Sequence, residues 1–570
     1  MRRPSRTVVP LLLLGLLAGC GGAEEPPGPP SCTPEEGVGS VEQYGVTWVF
    51  DRCARSGRYA NGDFWVVGPV SIVRITPDAD ARRVARGPGI CDGWSAGAQA
   101  CEEACRSAGA DYAARCGDDG RNGDCNCDHV RNGWEVNPLP GGGQGLDERA
   151  GGADVDLVPT LPYLASPGES LLKVVSAEEP AEPGTSYGIL TTAAVLTVVA
   201  EPPPDGGATT FRPPYVGPDK PQYATTALHT ELLPALAPVD AAPTLAEVEA
   251  RFVRVQLDHE GGATGRYLHP VENIPDYGSD IALRNNDAAL RLMLDDPLAD
   301  RLPALIAYVQ YGIDLYAMVR HGQTWPDGGG HRPGQKLPLT FAAVLLDDAG
   351  MRDAIRAADF FHEDRGTFRG AGDAALFGFP EELDERAYWN TVIDDSGFRS
   401  RPDPYGYVDG GRRPGGGYQY CCISQPWRGT VLAMRLWPAL QDVWTNPLLF
   451  DYVDRWVAAG AWSQPDPCAP PDGVCAGGDH AGDPCTSANE ATVCTGEDAV
   501  CDLTVHYDPD GTEGLENHYG VTYGPDGAGG CILDTDPADG TGRFPQFHGT
   551  EVDGGYRGSD FQRALWAAHP

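Results

Sequence analysis

The segment from Trp325 to Lys336 brings several chemically active side chains together in a glycine-rich stretch. It contains Trp325, Asp327, three consecutive glycines, His331, Arg332 and Lys336, and lysine occurs only three times in the chain. Glycines let a backbone approach a ligand closely, and functional groups concentrate on loops that rigid elements hold in place. We expect Trp325 to stack on a sugar ring. We expect His331, Arg332 and Lys336 to bind a carboxylate, the alternative being a structural loop whose charges are solvated.

A second segment, residues 388–428, is rich in tyrosine, arginine and glycine. A phenol with a shifted pKa can accept or donate a proton, so its tyrosines are candidate acids and bases. Tryptophan offers a face to a sugar ring, and amide and guanidinium groups can neutralise a carboxylate. The alternative for any single tyrosine is a half-buried packing residue. The candidates are Tyr388, Tyr418 and Tyr420 for proton transfer, and Trp389, Asn390 and Arg428 for binding.

Three stretches carry a resemblance to a known group of proteins. They are residues 325–336, Trp-Pro-Asp-Gly-Gly-Gly-His-Arg-Pro-Gly-Gln-Lys, residues 418–427, Tyr-Gln-Tyr-Cys-Cys-Ile-Ser-Gln-Pro-Trp, and residues 451–456, Asp-Tyr-Val-Asp-Arg-Trp. They resemble an uncharacterised family of exported bacterial proteins. The helical half of that family is similar to alginate-lyase-like (α/α) toroid polysaccharide lyases, and the likeness covers residues 280–460.

The resemblance implies an enzyme that cleaves an acidic polysaccharide by β-elimination. Such a lyase neutralises the carboxylate of a uronic acid, removes the proton at C5 and protonates the leaving oxygen, and tyrosine or histidine can transfer both protons. No cofactor is implied, and a structural divalent cation is left open. The implied catalytic residues are His331, Tyr388, Tyr418 and Tyr420, and the implied substrate-binding residues are Trp325, Arg332, Lys336, Trp389, Asn390 and Arg428.

Two other functions fit the same loops. An inverting glycoside hydrolase on a helical toroid would use Asp327 as general acid and Asp394 or Asp395 as the base that activates water. A surface lipoprotein that only binds carbohydrate would need no catalytic group. The sequence therefore favours an enzyme, and a polysaccharide lyase in particular, without excluding these alternatives.

The first twenty residues indicate export and lipid attachment. Arg2, Arg3 and Arg6 precede a short apolar run, which ends in Leu-Ala-Gly before Cys20. The run is short for a membrane span and has the flanks of a signal peptide. The ending resembles the lipobox of bacterial lipoproteins, which implies acylation of Cys20 and cleavage before it. The alternative is an ordinary secretory signal. Because Gly21 stands where an inner-membrane retention signal has Asp, we expect the outer membrane of the cell envelope.

Charge and cysteine content fit an exported protein. The net charge of −39 argues against nucleic acid as a partner, since phosphate binding needs a basic surface. The cysteines other than Cys20 number sixteen, and in an exported chain disulfides are the expectation for them rather than zinc. Cys32 and Cys53 can close the start of the first domain. One cluster comprises Cys91, Cys101, Cys105, Cys116, Cys125 and Cys127, and another comprises Cys468, Cys475, Cys485, Cys494 and Cys501, with Cys531 as a possible sixth member.

The elements that must position these groups change type along the chain. Runs of β-branched and aromatic residues predict strands at 44–50, 64–67, 70–75, 171–176 and 191–200. A capping box at Thr244 and Glu247 starts a helical part, in which residues 303–319 are apolar nearly all round, as in a fully buried helix. Further helices are predicted at 337–346, 351–358, 427–440 and 447–459.

These patterns predict an α+β multidomain chain, with an N-terminal β-sandwich-like domain followed by an (α/α) toroid. A plain helical bundle is the alternative to the toroid. The predicted order is a signal peptide at 1–20, a flexible tether at 21–39, a β-rich domain at 40–235 with a cysteine-rich insert at 91–127, the toroid at 243–460, and an irregular cysteine-bearing region at 461–570 that packs on the toroid.

Overall fold

The structure is a computed structural model that combines strands and helices, with the strands concentrated in the N-terminal part. This confirms the predicted α+β class. The residues that the structure describes are 28–87, 103, 105–107, 125–180, 188–273, 278–326, 332–369, 375–377, 424–459, 472–486, 489–496, 499–502, 522–525, 531–534 and 559–569.

Two sheets form the N-terminal part of the fold. The first has the strand order β1-β2-β5-β9 and the second has the order β3-β4-β11-β10-β8, and a separate hairpin pairs β6 with β7. Neighbouring strands run antiparallel except for β4 and β11, which are parallel. The strands are β1 (Val38–Gln43), β2 (Val46–Ala54), β3 (Ser56–Arg58), β4 (Phe64–Val67), β5 (Val70–Thr76), β6 (Asp80–Gly87), β7 (Cys125–Arg131), β8 (Trp134–Val136), β9 (Tyr163–Ala165), β10 (Ser170–Ser176) and β11 (Leu190–Val199).

The two sheets share one hydrophobic core. Trp48 and Ile72 enter it from the first sheet, and Trp134 and Leu196 enter it from the second. Because side chains alternate between the faces of a strand, each sheet turns one set of alternate residues toward the other. The N-terminal strands therefore form two layers packed face to face.

The second sheet is apolar on both faces. Along β11, Ala194 and Leu196 lie in the core between the sheets. Ala193 and Val195, on the opposite face, belong to the much larger core that the helices fill. The second sheet is therefore a middle layer, with the first sheet on one side and the helices on the other.

The helical part begins at the predicted capping box. The Thr244 side chain accepts a hydrogen bond from the Glu247 backbone, and the Glu247 carboxylate accepts one from the backbone of Thr244. The helices of this part are α1 (Leu245–Phe252), α2 (Gly262–Leu268), α3 (Gly278–Leu292), α4 (Leu298–Arg320), α5 (Lys336–Leu345), α6 (Ala349–Ala357), α7 (His362–Arg365), α8 (Ser424–Leu436), α9 (Pro438–Gln441) and α10 (Pro447–Ala459).

The short elements of the C-terminal region and of the α7–α8 connection complete the fold. The hairpin β12–β13 follows α7, and the last helix packs against α8 and α3. These elements are β12 (Thr367–Arg369), β13 (Ala375–Phe377), β14 (Asp472–Ala476), β15 (Pro484–Thr486), α11 (Glu490–Val493), β16 (Val500–Asp502), β17 (Thr522–Pro525), β18 (Cys531–Asp534) and α12 (Asp560–Ala568).

The disulfides agree with part of the cysteine prediction. The predicted bond between Cys32 and Cys53 is present and ties the start of the described chain to β2. In the C-terminal cluster, Cys475 bonds to Cys494, and the second bond there joins Cys485 to Cys501. Of the first cluster, Cys105 is disulfide-bonded.

Helix α4 is the central helix of the helical part. Among the described helices, it is the one that is long and apolar enough to cross a membrane, and 72% of its apolar window is buried inside the protein. It packs against α1, α3 and α5. Its approach to α5 is so close that a Cβ on Gly312 would lie 2.5 Å from both the Pro338 carbonyl oxygen and the Ala342 Cβ. Glycine is therefore required at this helix crossing.

We predict that Gly312→Ala destabilises the protein by about 1–3 kcal/mol, because overpacking a tight contact forces neighbouring atoms apart. Gly142→Ala is the matched control, since a Cβ at Gly142 would meet nothing within 4 Å. The free energy of unfolding, measured by denaturant titration, decides the comparison. Equal stabilities of the two variants would contradict the close approach of α4 and α5.

A buried ion network joins the strand layers to α4. The Arg212 guanidinium donates through Nε to Asp63 Oδ2 at 2.6 Å and through Nη2 to Asp314 Oδ2 at 2.5 Å. Asp63 lies just before β4 and also accepts from Gln43 and Asn61. Burial raises the pKa of both carboxyls, and Arg212 counteracts that rise. The guanidinium is thus the charge that lets two carboxylates lie inside the protein.

We predict that Arg212→Met lowers the free energy of unfolding by about 3–5 kcal/mol, because it leaves two buried carboxylates without their counterion. Arg320→Met is the control, since the Arg320–Asp219 pair is about half exposed and such pairs contribute about 0–1 kcal/mol. Chemical denaturation of both variants provides the measurement. A loss for Arg212→Met no greater than for Arg320→Met would show that the network does not hold the layers together.

Candidate functional site

All the residues predicted for catalysis, and two of those predicted for substrate binding, lie outside the described residues. They belong to the glycine-rich sequence before Arg332 and the tyrosine-rich sequence before α8, and the lipidation site also lies outside the described residues. The predictions concerned are His331, Tyr388, Trp389, Asn390, Tyr418, Tyr420 and Cys20, together with Asp327, Asp394 and Asp395 of the hydrolase alternative.

Trp325 is a core residue rather than an open sugar platform. It is 2% exposed, and its ring stacks on Phe361 at 5.4 Å between centroids with an interplanar angle of 10°. Its backbone NH donates to the carbonyl of Phe360. One face of the indole is therefore occupied by the protein. Stacking of Trp325 on a sugar ring stays a prediction.

Lys336 is likewise engaged inside the protein. It is fully buried at the start of α5, forms an ion pair with Asp364, and places Nζ 4.4 Å from the ring centroid of Trp444. Burial lowers the pKa of Lys336, and Asp364 counteracts that fall. Lys336 thus neutralises a buried carboxylate of the protein itself, and its binding of a substrate carboxylate stays a prediction.

Arg428 is buried on α8, next to the C-terminal helix. It is 5% exposed, and its carbonyl oxygen accepts from Trp566 Nε1 at 3.3 Å. The described contacts place it at the packing of α8 against α12. Its proposed role in substrate binding remains a prediction.

Of the predicted binding residues that the structure describes, Arg332 is the half-buried one, and it lies at the edge of a polar cluster. Its guanidinium lies against Gly262, where a Cβ would come within 2.8 Å of Nη2. Gly262 also has a φ of +63°, a conformation that favours glycine. Arg332 thus packs on the segment Leu257–Gly262, which we call the Asp258 loop.

Asp258 is the centre of that loop. Its carboxylate accepts from Tyr311 Oη at 2.7 Å and from Gln335 Nε2 at 3.1 Å, and His269 Nε2 lies 3.2 Å from Oδ1. Gln323 Nε2 holds the backbone by donating to the carbonyl oxygens of residues 258 and 259. Helices α2 and α4 and the loop before α5 are therefore joined at one buried carboxylate.

His259 and Tyr215 form a second buried pair. Their Nδ1 and Oη atoms are 2.9 Å apart and the rings meet edge to face. Burial lowers the pKa of His259 to about 4, so the imidazole is neutral at neutral pH. Among the described residues, His259 Nε2 has no hydrogen-bond partner. A neutral imidazole with a free nitrogen can accept or donate a proton.

Two carboxyl groups complete the cluster from opposite layers. Glu135 projects from β8, on the helix-facing side of the second sheet, where it pairs in register with Leu172. Burial raises its pKa to about 7. Glu260 belongs to the Asp258 loop, and burial followed by the charge of Glu135 raises its pKa to about 8. Both groups therefore retain protons close to neutral pH.

The backbone of the loop is strained at its start. Leu257 is fully buried and adopts a φ of +62°, which L-residues with bulky side chains rarely adopt. Such strain persists where surrounding contacts enforce it, and it clusters at functional sites. Here the enforcing contacts are those of Asp258 and Gln323, in the segment that also holds His259 and Glu260.

The cluster combines a guanidinium, a neutral imidazole, phenols and protonated carboxyl groups. It lies where β8 and the turn at Glu148–Ala150 meet α2 and the loop before α5. Perturbed pKa values and unpartnered buried polar atoms together mark a candidate site for acid–base chemistry. Interfaces between structural units are common places for such sites.

Apart from Arg332, the residues of this site were not predicted from the sequence. One signal was present, namely the run Asp258-His259-Glu260 followed directly by two glycines. Like residues 325–336, this run places ionisable side chains beside consecutive glycines, a pattern typical of loops that carry functional groups.

The described residues offer one group of closely spaced potential metal ligands. The Sγ atoms of Cys475, Cys485 and Cys494 lie within 4.8 Å of one another. All three are disulfide-bonded, since Cys475 bonds to Cys494 and Cys485 bonds to Cys501. Because thiolate, rather than disulfide sulfur, is the metal ligand, these residues form a disulfide core and not a metal centre.

Comparisons with known proteins found no relative of this chain. No protein-family model, no curated protein and no solved structure matched it. The function must therefore be inferred from the residues and the geometry of the site.

We predict that Glu135→Gln stabilises the protein increasingly as the pH rises. Folding raises the pKa of Glu135 from 4.5 to about 7, so the folded protein binds this proton more tightly than the unfolded chain does. The stability that this proton contributes is complete below about pH 4.5 and is lost as the pH rises through about 7. Glutamine avoids this loss and keeps an acceptor for the Gly145 NH, which donates to Glu135 at 2.5 Å. The free energy of unfolding of Glu135→Gln, relative to that of the parent, should increase by up to about 3 kcal/mol between about pH 5 and about pH 8.

Denaturant titrations of both proteins across this pH range test the expectation. Glu178→Gln, at an exposed position beyond β10, serves as the control. A difference between Glu135→Gln and the parent that does not grow with pH would contradict the protonated state of Glu135.

Proposed function

We propose that this protein is an exported, lipid-anchored carbohydrate-active enzyme that cleaves a uronate-containing polysaccharide by β-elimination. The observation that carries the proposal is the meeting of Arg332 with the Asp258 loop, whose His259 is paired with Tyr215. A positive group beside a neutral acid–base pair is what removal of a proton next to a carboxylate requires.

Arg332 supplies the carboxylate-binding group in this proposal. A guanidinium matches the two oxygens of a carboxylate with parallel donors, so it can orient a uronic acid as well as neutralise it. In a chain with a net charge of −39, an anionic polymer is repelled by the protein as a whole, and binding depends on local cations such as this one.

His259 supplies the base. When Nδ1–H donates to the Tyr215 oxygen, Nε2 carries a lone pair that can take the C5 proton. The pKa of the free histidine is low because burial disfavours the imidazolium, and an anionic substrate placed nearby raises it. The Asp258 contacts fix the loop, so the imidazole does not need to reorganise during the reaction.

The proposal includes the finer architecture and the remaining predicted residues. The helices α1 to α10 would close into an (α/α) toroid beside the β-sandwich-like layers. The segments before Arg332 and before α8 would add His331, Tyr388, Tyr418 and Tyr420 as catalytic groups and Trp389 and Asn390 as binding groups. Lipid on Cys20 would hold the enzyme at the outer membrane, and the Cys32–Cys53 disulfide is typical of such an oxidising compartment.

An inverting glycoside hydrolase is the second candidate. It is favoured by the two buried carboxyl groups, Glu135 and Glu260, which hold protons near neutral pH as a general acid must. A hydrolase and a lyase differ in product, because only elimination creates a double bond in the sugar ring. The products therefore distinguish them.

We predict that incubation with alginate, polygalacturonate or hyaluronan produces the ultraviolet absorbance of an unsaturated uronate, and that neutral dextran gives none. Arg332→Lys should lower kcat/KM by about 100-fold or more, because lysine loses the paired donors. Arg356→Lys on α6, where the arginine is nearly half exposed and only loosely paired with Asp353, is the control.

Each result distinguishes one candidate function from the others. New reducing ends without absorbance would replace the lyase by the hydrolase. Polymer binding without either product would leave a carbohydrate-binding lipoprotein. Full activity of Arg332→Lys would show that Arg332 does not bind the substrate carboxylate through paired donors, even if the enzyme is a lyase.

A further inference from the structure

Glu260 is a buried carboxyl in the strained Asp258 loop. It is 8% exposed, and among the described residues its Oε1 atom has no hydrogen-bond partner. Unpartnered buried polar oxygens are costly, and most are satisfied in folded proteins. Within the described residues, the fold leaves this oxygen without a hydrogen bond that a ligand could supply.

Glu260 is followed directly by two glycines on which other side chains pack. Gln323 Nε2 lies 3.5 Å from the position of a Cβ on Gly261, and the Arg332 guanidinium lies on Gly262. His259 directly precedes Glu260. A uronate bound by Arg332 is therefore next to the Asp258 loop, which places a base candidate and an acid candidate in adjacent positions.

We propose that Glu260 is a proton-storing acid that donates its proton to the departing glycosidic oxygen. This assignment rests on the proposed function and extends it, because the sequence analysis gave this role to tyrosine. Glu260 acts with Glu135 across the boundary between the second sheet and the helical part, and the two carboxyls cannot both ionise cheaply inside the protein.

The other charged groups on the elements that meet here are few. The Asp258 loop and α2 carry Asp258, His259, Arg266 and His269, and the loop before α5 carries Arg332. Across the boundary, the turn that packs on α2 carries Glu148 and Arg149. Asp258 receives donors from Tyr311 and Gln335, and Arg149 pairs with Asp147, so Glu135 is the group that acts most directly on Glu260.

The proton balance of the step closes without a further reactant. His259 Nε2 takes the C5 proton, the C5–H electron pair forms the C4–C5 double bond, and the C4–O bond breaks. Glu260 O–H gives its proton to the leaving oxygen, which departs as a hydroxyl. His259 is then protonated and Glu260 is ionised, and return of one proton from the imidazolium to the carboxylate through water restores both.

The test compares two leaving groups in the full-length protein. Glu260→Gln should lower kcat on the polymer by about 100-fold or more, the usual range for loss of a general acid. A uronic acid with 4-nitrophenol at C4 needs no protonation of its leaving oxygen, so its turnover should fall less than about 5-fold. Equal losses on both substrates, or full activity on the polymer, would overturn the assignment.

Two further variants, Glu135→Gln and Asp287→Asn, test the coupling between Glu135 and Glu260 and provide a control. Glu135→Gln should move the alkaline limb of kcat to lower pH, because it removes the neighbouring charge that, after burial, raises the pKa of Glu260. An unmoved limb would overturn the coupling. Asp287→Asn is the control, since Asp287 is also a carboxyl whose pKa burial raises but it lies at the α3–α12 contact, where it accepts from Gln562 at 2.7 Å.

An infrared measurement separates this inference from the proposed function. The parent protein should show a protonated-carboxyl band at about pH 7 that Glu260→Gln weakens and Asp287→Asn leaves unchanged. A band of equal intensity in the parent and in Glu260→Gln refutes proton storage by Glu260 whatever the enzyme does. If the products are reducing ends without a double bond, the lyase fails, while the same dependence on leaving group still supports Glu260 as the acid.

Discussion

The buried guanidinium of Arg212 is the contact on which the position of the site depends. It fixes Asp63, at the edge of the strand layers, and Asp314, in the middle of α4. Gln310, one turn before Asp314, donates to the backbone carbonyl of Arg212 at 3.0 Å. Helix α4 therefore contacts both the side chain and the main chain of Arg212. Three residues before Asp314 on the same helix face, Tyr311 binds Asp258, and three residues after Arg212, Tyr215 binds His259. The network that joins the layers therefore also sets both halves of the acid–base cluster.

The middle sheet transmits this constraint because it has no solvent-facing side. Alternate residues of β11 fill the core between the sheets and the core beneath the helices. A polar residue on the helix-facing side of such a sheet is forced into a dry environment. Glu135 occupies that side on β8, beside Leu172 of β10, and the rise of its pKa follows from this location. The chemistry assigned to the boundary is thus a consequence of layering: the sheet gives Glu135 a rigid position, and the helical part brings Glu260 to it.

Local patterns predicted the elements well and the site poorly. The capping box at Thr244 begins α1, the strand patterns at 64–67 and 171–176 match β4 and β10, and the apolar run at 303–319 lies within α4. Each of these signals is contained within a few neighbouring residues. The site depends on contacts that are not local, since Asp258 lies 53 residues from Tyr311 and 77 residues from Gln335. Residue type within one loop identified Arg332, but it could not reveal that Trp325 and Lys336, in the same stretch, turn into the core to meet Phe361 and Asp364.

The cluster places satisfied and unsatisfied groups side by side, and this contrast supports a catalytic role over a structural one. Asp258 has a full set of donors and holds the strained loop in one conformation, whereas within the described residues His259 Nε2 and Glu260 Oε1 have no partners. A purely structural polar network gains stability only when its members are satisfied, and a partly satisfied one costs more than an apolar core. A reactive group has the opposite requirement: its neighbours must be fixed while its own acceptor or donor stays free, so that it meets the substrate without reorganisation. The Asp258 loop has that division: Asp258 is anchored by its donors, and within the described residues His259 and Glu260, which follow it, each keep one polar atom without a partner.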